Sequence, residues 1–146
     1  MKKQAYTLIG AVVFATLFAC SAAKAQTGLS LRASIPFDFA AGKQNLPAGE
    51  YTVTIVNRAS GEDILRLTSK NNGATAVIAM HSVQGKLRDN ARLVFHRYGD
   101  KYVLSQAWTA ADVIGLEAPR TAAERASEIA GLTSEVQTVA MKARKN

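Results

Sequence analysis

Apolar and polar residues alternate through most of the chain between residues 29 and 108, and turn chemistry breaks the alternation at short intervals. Period two is the spacing of strands that bury one face, and frequent turns join such strands into hairpins. Leu29, Leu31, Ala33 and Ile35 define a first strand. Pro36 has no amide to donate, so it places this strand at a sheet edge or bends it there. Leu46-Pro47-Ala48-Gly49 carries type I turn chemistry and delivers the chain into the next strand.

Three hairpins can be registered from the pattern. With Ala59-Ser60-Gly61 as a three-residue loop, Arg58 faces Glu62, Val56 faces Ile64, Ile55 faces Leu65 and Val53 faces Leu67. Tyr51, Val53, Ile55, Leu65 and Leu67 then share one face, and Thr52, Thr54, Arg66 and Thr68 the other; a slip of one residue mixes the two sets. With Asn72-Gly73 as a two-residue loop, Leu67 faces Ile78 and Leu65 faces Met80. Gly99-Asp100 fits a type II′ loop, which sets Phe95 opposite Leu104, Leu93 opposite Gln106, Arg97 beside Tyr102 and Trp108 opposite Ala91. This register predicts a core face of Leu93, Phe95, Leu104 and Trp108. The opposite face carries Val94, His96, Tyr98, Lys101, Val103 and Ser105, and in a sandwich it meets solvent.

The pattern changes after Pro119. Thr121 with Glu124 three residues on is a capping box, and Ala-rich sequence runs from it to Gly131, which predicts a helix over about 121–131. Ile129, Leu132, Val136 and Val139 have helical spacing that would carry a helix into 134–144, yet the β-rich composition of 136–141 favours a returning strand. The fold expected is mainly β: an antiparallel β-sandwich or barrel-like domain of successive hairpins with one short C-terminal helix, in a single domain over 26–146.

The first 25 residues read differently. Lys2-Lys3, the uncharged run from Ala5 to Cys20, and the small-residue pattern Ala23-Lys24-Ala25 form the layout of a secretory signal peptide cleaved after Ala25. The apolar run is shorter than the roughly 20 residues of a membrane-spanning helix. Leu17-Phe18-Ala19-Cys20 approximates a lipobox, although Phe18 is bulky for one, so a lipoprotein anchored through Cys20 is the alternative. Cleavage after Ala25 removes the only cysteine, and with it disulfide and thiol chemistry. It also removes Lys2, Lys3 and Lys24, which leaves 15 basic against 11 acidic residues, a net +4 in place of +7. The remaining positive charges are scattered without a run of four, which together with export argues against nucleic acid as a partner. The expected location is the periplasm or the extracellular space, with no transmembrane span after processing.

The segments IPFDF, LPAGEYTV and LVFHRYGDKYVLSQAW, followed by a short Ala/Glu/Arg helix, resemble a family of small, uncharacterised exported bacterial proteins. The resemblance covers nearly the whole chain after residue 26. It implies a β-sandwich-like domain with one late helix and a C-terminal strand, and it brings no activity, ligand or catalytic residue.

Signals of chemistry are sparse. His81 and His96 share no metal-ligand spacing, so no metal site and no cofactor are expected. There is no Gly-x-Ser-x-Gly, and Ala41-Gly42-Lys43 lacks the glycine spacing of a phosphate loop. Asp38 with Glu50 could form a carboxylate pair only if the fold converges them. Asp38, between Phe37 and Phe39, is more simply an outward residue. Tyr51, Tyr98, Tyr102 and Trp108 are packing residues before they are a sugar platform. The function expected is a non-catalytic envelope or extracellular binding or structural module, with His96, Tyr98 and Lys101 as contact residues for a cell-envelope protein or polysaccharide. The alternatives are a small exported hydrolase whose site forms only in three dimensions, marked by a pocket of His96 with Asp38 or Glu50, and a β-barrel holding a small apolar ligand in an interior void.

Overall fold

The computed structural model describes residues 28–57 and 62–143. The leader with Cys20 and Ala25, and the Ala59-Ser60-Gly61 loop together with Arg58, the expected partner of Glu62, lie outside the described residues. The strands are β1 (Leu29–Ile35), β2 (Phe39–Ala41), β3 (Gln44–Leu46), β4 (Gly49–Asn57), β5 (Asp63–Ser69), β6 (Thr75–Gln84), β7 (Arg92–Tyr98), β8 (Lys101–Trp108), β9 (Ile114–Glu117) and β10 (Glu135–Ala143); one helix, α1 (Ala122–Ile129), precedes β10.

Eight strands close an antiparallel barrel in the order β8-β7-β10-β1-β4-β5-β6-β9, with β9 pairing back onto β8. Of the two architectures the alternation allows, the barrel is the one formed. Closure leaves β1 no free edge: it pairs with β4 along its whole length and with β10 at Leu31–Ala33. Pro36 ends β1 instead of marking an edge strand, because it follows the last paired residue. The C-terminal strand forms as the composition favours. It is inserted between β1 and β7, so the end of the chain closes the ring.

β9 covers only the second half of one β8 edge, at Gln106 and Ala107. The first half is taken by β2, which runs parallel to β8 at Tyr102 and Val103. The β2–β3 hairpin carries Phe39, Ala41 and Leu46 into the core. Phe39 meets Tyr51 and Phe95 edge to face at 5.4 and 5.3 Å between ring centres. Phe37 meets Phe95 edge to face at 5.2 Å and stacks on Tyr102 at 3.9 Å. IPFDF is therefore an aromatic plug. Asp38, between the two rings, accepts a hydrogen bond from the Ala48 amide at 2.7 Å and ties the plug to the next turn.

An eight-stranded barrel is just wide enough for side chains to fill. Tyr51, Val53, Leu65, Leu67, Met80, Leu93, Phe95 and Leu104 occupy its interior, almost wholly removed from solvent. The β4–β5 register is the one that the alternation specifies, with Val56 opposite Ile64, Ile55 opposite Leu65 and Val53 opposite Leu67. The β5–β6 register differs: Leu65 lies opposite Ile78 and Leu67 opposite Ala76. The loop there is wider than Asn72-Gly73, since the Ser69 amide donates to the Ala74 carbonyl at 2.8 Å and Gly73 adopts φ +70°. The offset is two residues, so each side chain keeps its face.

The β7–β8 hairpin turns at Gly99-Asp100 with Gly99 at φ +60°, and Phe95 pairs with Leu104 as expected. Beyond that point a β-bulge intervenes. Val94 pairs with Gln106, Leu93 with Ala107 and Arg92 with Trp108, leaving Ser105 as the extra residue. The extra residue reverses the alternation, so the expected placement of Trp108 on the core face opposite Ala91 is corrected. Trp108 lies on the outer face beside Arg92. It is nonetheless buried, because its indole lies against the backbone of Gly85 and Gly115.

Candidate functional site

The link from β9 to β10 must pass over the outer surface of β8 and β7, and α1 lies in that link. Thr121 caps α1 as the sequence specifies: its hydroxyl accepts from the Glu124 amide at 3.2 Å, and the Glu124 carboxylate accepts from the Thr121 amide at 2.8 Å. The helix ends at Gly131, φ +79°, where Leu132 and Gly131 donate to the Ser127 and Glu128 carbonyls, each at 3.0 Å. That double bond pattern is a Schellman stop, which a left-handed glycine permits.

The three expected contact residues separate under this helix. Tyr98 is buried; its hydroxyl donates to Glu128 at 3.4 Å. Burial, followed by the Glu124 and Glu128 charges, raises the Tyr98 pKa above its ordinary value. His96 is partly covered, with Nδ1 3.8 Å from Glu124 Oε1. Lys101, at the turn, is exposed. The expectation that this outer face meets solvent is therefore corrected at Val94, Tyr98, Val103 and Ser105, all buried, and, in part, at His96.

Glu124 is a buried carboxylate and the one buried residue of α1. One oxygen holds the Thr121 amide and hydroxyl, at 2.8 and 3.1 Å, and the other faces His96. Arg120 adds a two-pronged ion pair to Glu128, at 2.9 Å to each oxygen. His96, Tyr98, Glu124, Glu128 and Arg120 thus form a polar clasp that fastens the helix to β7. Glu124 and Glu128 are the residues that strand patterning does not bring to His96 and Tyr98 respectively. The capping box locates Glu124 on its helix, but the path of the helix over β7 comes from closure of the barrel.

The carboxylates considered as partners for His96 lie elsewhere. Asp38 holds the Ala48 amide, and Glu50 pairs with Lys70 at 3.5 Å. Arg97 sits with its guanidinium 5.6 Å from the Tyr102 ring, the cross-strand pair the hairpin specifies, and is also 3.5 Å from Glu135. Among the described residues no three His, Cys, Asp or Glu side chains converge as a metal site, and no helix is long and apolar enough to cross a membrane.

Comparison of the chain with protein-family models, with curated proteins and with solved structures returned no match.

Proposed function

We propose that the chain is an exported, non-catalytic module of the bacterial envelope that binds an anionic envelope polysaccharide on its outer surface. The observation that carries this is the commitment of Glu124. A hydrolytic base needs an orienting carboxylate at hydrogen-bond distance and a nucleophile on its other side. At 3.8 Å Glu124 lies beyond that distance from His96, and its second oxygen is taken by the helix cap. The clasp accounts for these polar residues as a folding element without a reacting group.

Three further features support the proposal. The leader layout of residues 1–25 and the resemblance to small exported bacterial proteins both point to the envelope. Aromatic packing of Tyr51, Phe39 and Phe95 fills the space that an apolar ligand would need. The net +4 after cleavage favours an anionic partner. The test is co-sedimentation of the chain from Gln26 to Asn146 with isolated envelope polysaccharide, with soluble sugar assayed in the supernatant. Saturable, salt-sensitive retention without sugar release is expected. Sugar release abolished by His96→Ala would establish the hydrolase instead.

A further inference from the structure

The segment between β6 and β7 borders an open depression of about 460 Å³. Arg88, Asn90 and Arg92 line one side of it, and Thr138 and Ala140 of β10 line the other. Four residues with side-chain hydrogen-bond donors therefore border one space, three of them from a single short stretch, while Ala140 leaves room between them. Asp89 also borders the depression and offsets one positive charge.

The lining is held in place. The Ala91 carbonyl accepts from the Met141 amide at 2.8 Å, which fixes the segment to β10. The Arg88 carbonyl accepts from the Ala111 amide at 2.9 Å, and Ala111 adopts φ +56°, a left-handed conformation that is costly for a residue with a Cβ. The Arg92 guanidinium lies 5.8 Å from the centre of the Trp108 ring, within cation–π range. Burial and then the neighbouring Arg88 charge lower the Arg92 pKa from its ordinary value, so the two cations repel along one side of the depression.

Positive charge continues beyond the rim. Ala140 pairs with Arg92, and Lys142, two residues on, pairs with Arg32 of β1 on the same outer surface. Like charges directly opposite on neighbouring strands are unfavourable. The Arg32 Nε is buried without a hydrogen-bond partner. Among the described residues no carboxylate lies within ion-pair distance of Arg32, Arg88, Arg92 or Lys142, whereas Lys70, Arg97 and Arg120 each have one.

We infer that this depression is a binding site for a phosphate group, with Arg88 and Arg92 as the paired guanidinium contacts, Asn90 and Thr138 as neutral donors, and Lys142 and Arg32 extending the field along the ligand. Guanidinium forks match phosphate oxygens in pairs. A phosphate offers three or four acceptor oxygens in different directions, which suits donors on two sides of a cleft better than the two coplanar oxygens of a carboxylate. The inference rests on the binding module proposed above and names its ligand chemistry; the phosphate can belong to an envelope polymer or to a lipid headgroup.

Trp108 is the only tryptophan in the chain, so its emission reports on Arg92 directly. The experiment is a fluorescence titration of the chain from Gln26 to Asn146, which holds every described element, with inorganic pyrophosphate. A saturable change is expected, with affinity reduced at least tenfold in Arg88→Gln and in Arg92→Lys and unchanged in Lys43→Ala, at an exposed lysine of the β2–β3 turn. Far-UV circular dichroism checks that each variant is folded, and exposed Arg88 gives a variant that leaves the fold untouched. Short-chain polyphosphate and vesicles containing phosphatidylglycerol are then titrated separately: tighter binding to the polymer assigns a polymer source, and tighter binding to the vesicles a headgroup. Wild-type affinity in both arginine variants, or loss of binding in Lys43→Ala instead, would overturn the site. No response to any phosphate probe, from a chain that still sediments with envelope polysaccharide, would overturn the phosphate assignment and leave the binding module standing; failure of both would remove both.

Discussion

Replacing Gly115 by alanine should destabilise the barrel through one side chain, Trp108. A Cβ at Gly115 would stand 2.5, 2.6 and 2.7 Å from Cε3, Cδ2 and Cε2 of the indole. Carbon atoms in contact sit at about 3.5–4.0 Å, so the ring must retreat by roughly 1 Å. Its retreat is resisted by the Nε1 hydrogen bond to Gln106 at 3.0 Å. Overpacking of this kind costs about 1–3 kcal/mol. Lifting the ring re-exposes apolar area as well, and about 40 Å² at 25 cal/mol per Å² adds roughly 1 kcal/mol. Gly115→Ala should therefore cost about 2–4 kcal/mol, a fall of roughly 1–2 M in the urea midpoint at the slopes usual for a small domain. The assay is urea denaturation by far-UV circular dichroism, run as a cycle with Trp108→Leu. In the leucine background the ring is gone, and Gly115→Ala should cost less than about 0.5 kcal/mol. An equal cost in both backgrounds would refute the reasoning, since the glycine would then serve its own backbone and not the indole.

Three further outcomes are expected. Glu124→Ala should lose about 1–2 kcal/mol of local stability and show it as faster amide exchange over residues 122–130; a uniform rise in exchange through the strands would contradict the clasp. Tyr51 and Tyr98 both have pKa values raised first by burial, so the folded state holds their protons more tightly. That stability is complete below the ordinary value near 10.0 and is lost as pH rises from there through the raised folded value, so above about pH 10 the urea midpoint of Tyr98→Phe should fall less than that of the wild type. Intact mass of the exported product should begin at Gln26, whereas a diacylated Cys20 would establish the lipoprotein.

Legibility in the sequence followed parity. Strands β4 and β5 alternate without interruption, so their pairing could be registered residue by residue, and the two-residue offset at β5–β6 left every face correct. The bulge at Ser105 does not preserve parity, and it misplaced Trp108. Its trace in the sequence is Gln106: an unbroken alternation puts this polar residue on the core face opposite Leu93, and the bulge removes that conflict by pairing Leu93 with Ala107. Gly85 and Gly115 gave no local signal of what they accommodate, because the indole reaches them only after β6 and β9 pair. The helix cap was legible because Thr121 and Glu124 are three residues apart. The approach of Glu124 to His96, 28 residues apart in the chain, was not, since it depends on the closing strand carrying the link across β7. The basic depression was hidden for the same reason: Arg88, Arg92, Lys142 and Arg32 are scattered singly in the sequence and become neighbours only through β7–β10–β1 pairing.

Backbone amide NMR of the chain from Gln26 to Asn146, titrated with soluble envelope polysaccharide, tests most directly whether ligand is bound on the outside of a filled barrel. The account predicts perturbations centred on residues 88–92 and 138–142, with the interior positions Tyr51, Phe95 and Leu104 unmoved. Perturbations centred on those interior residues would mean that the barrel opens to admit a ligand, and would contradict it.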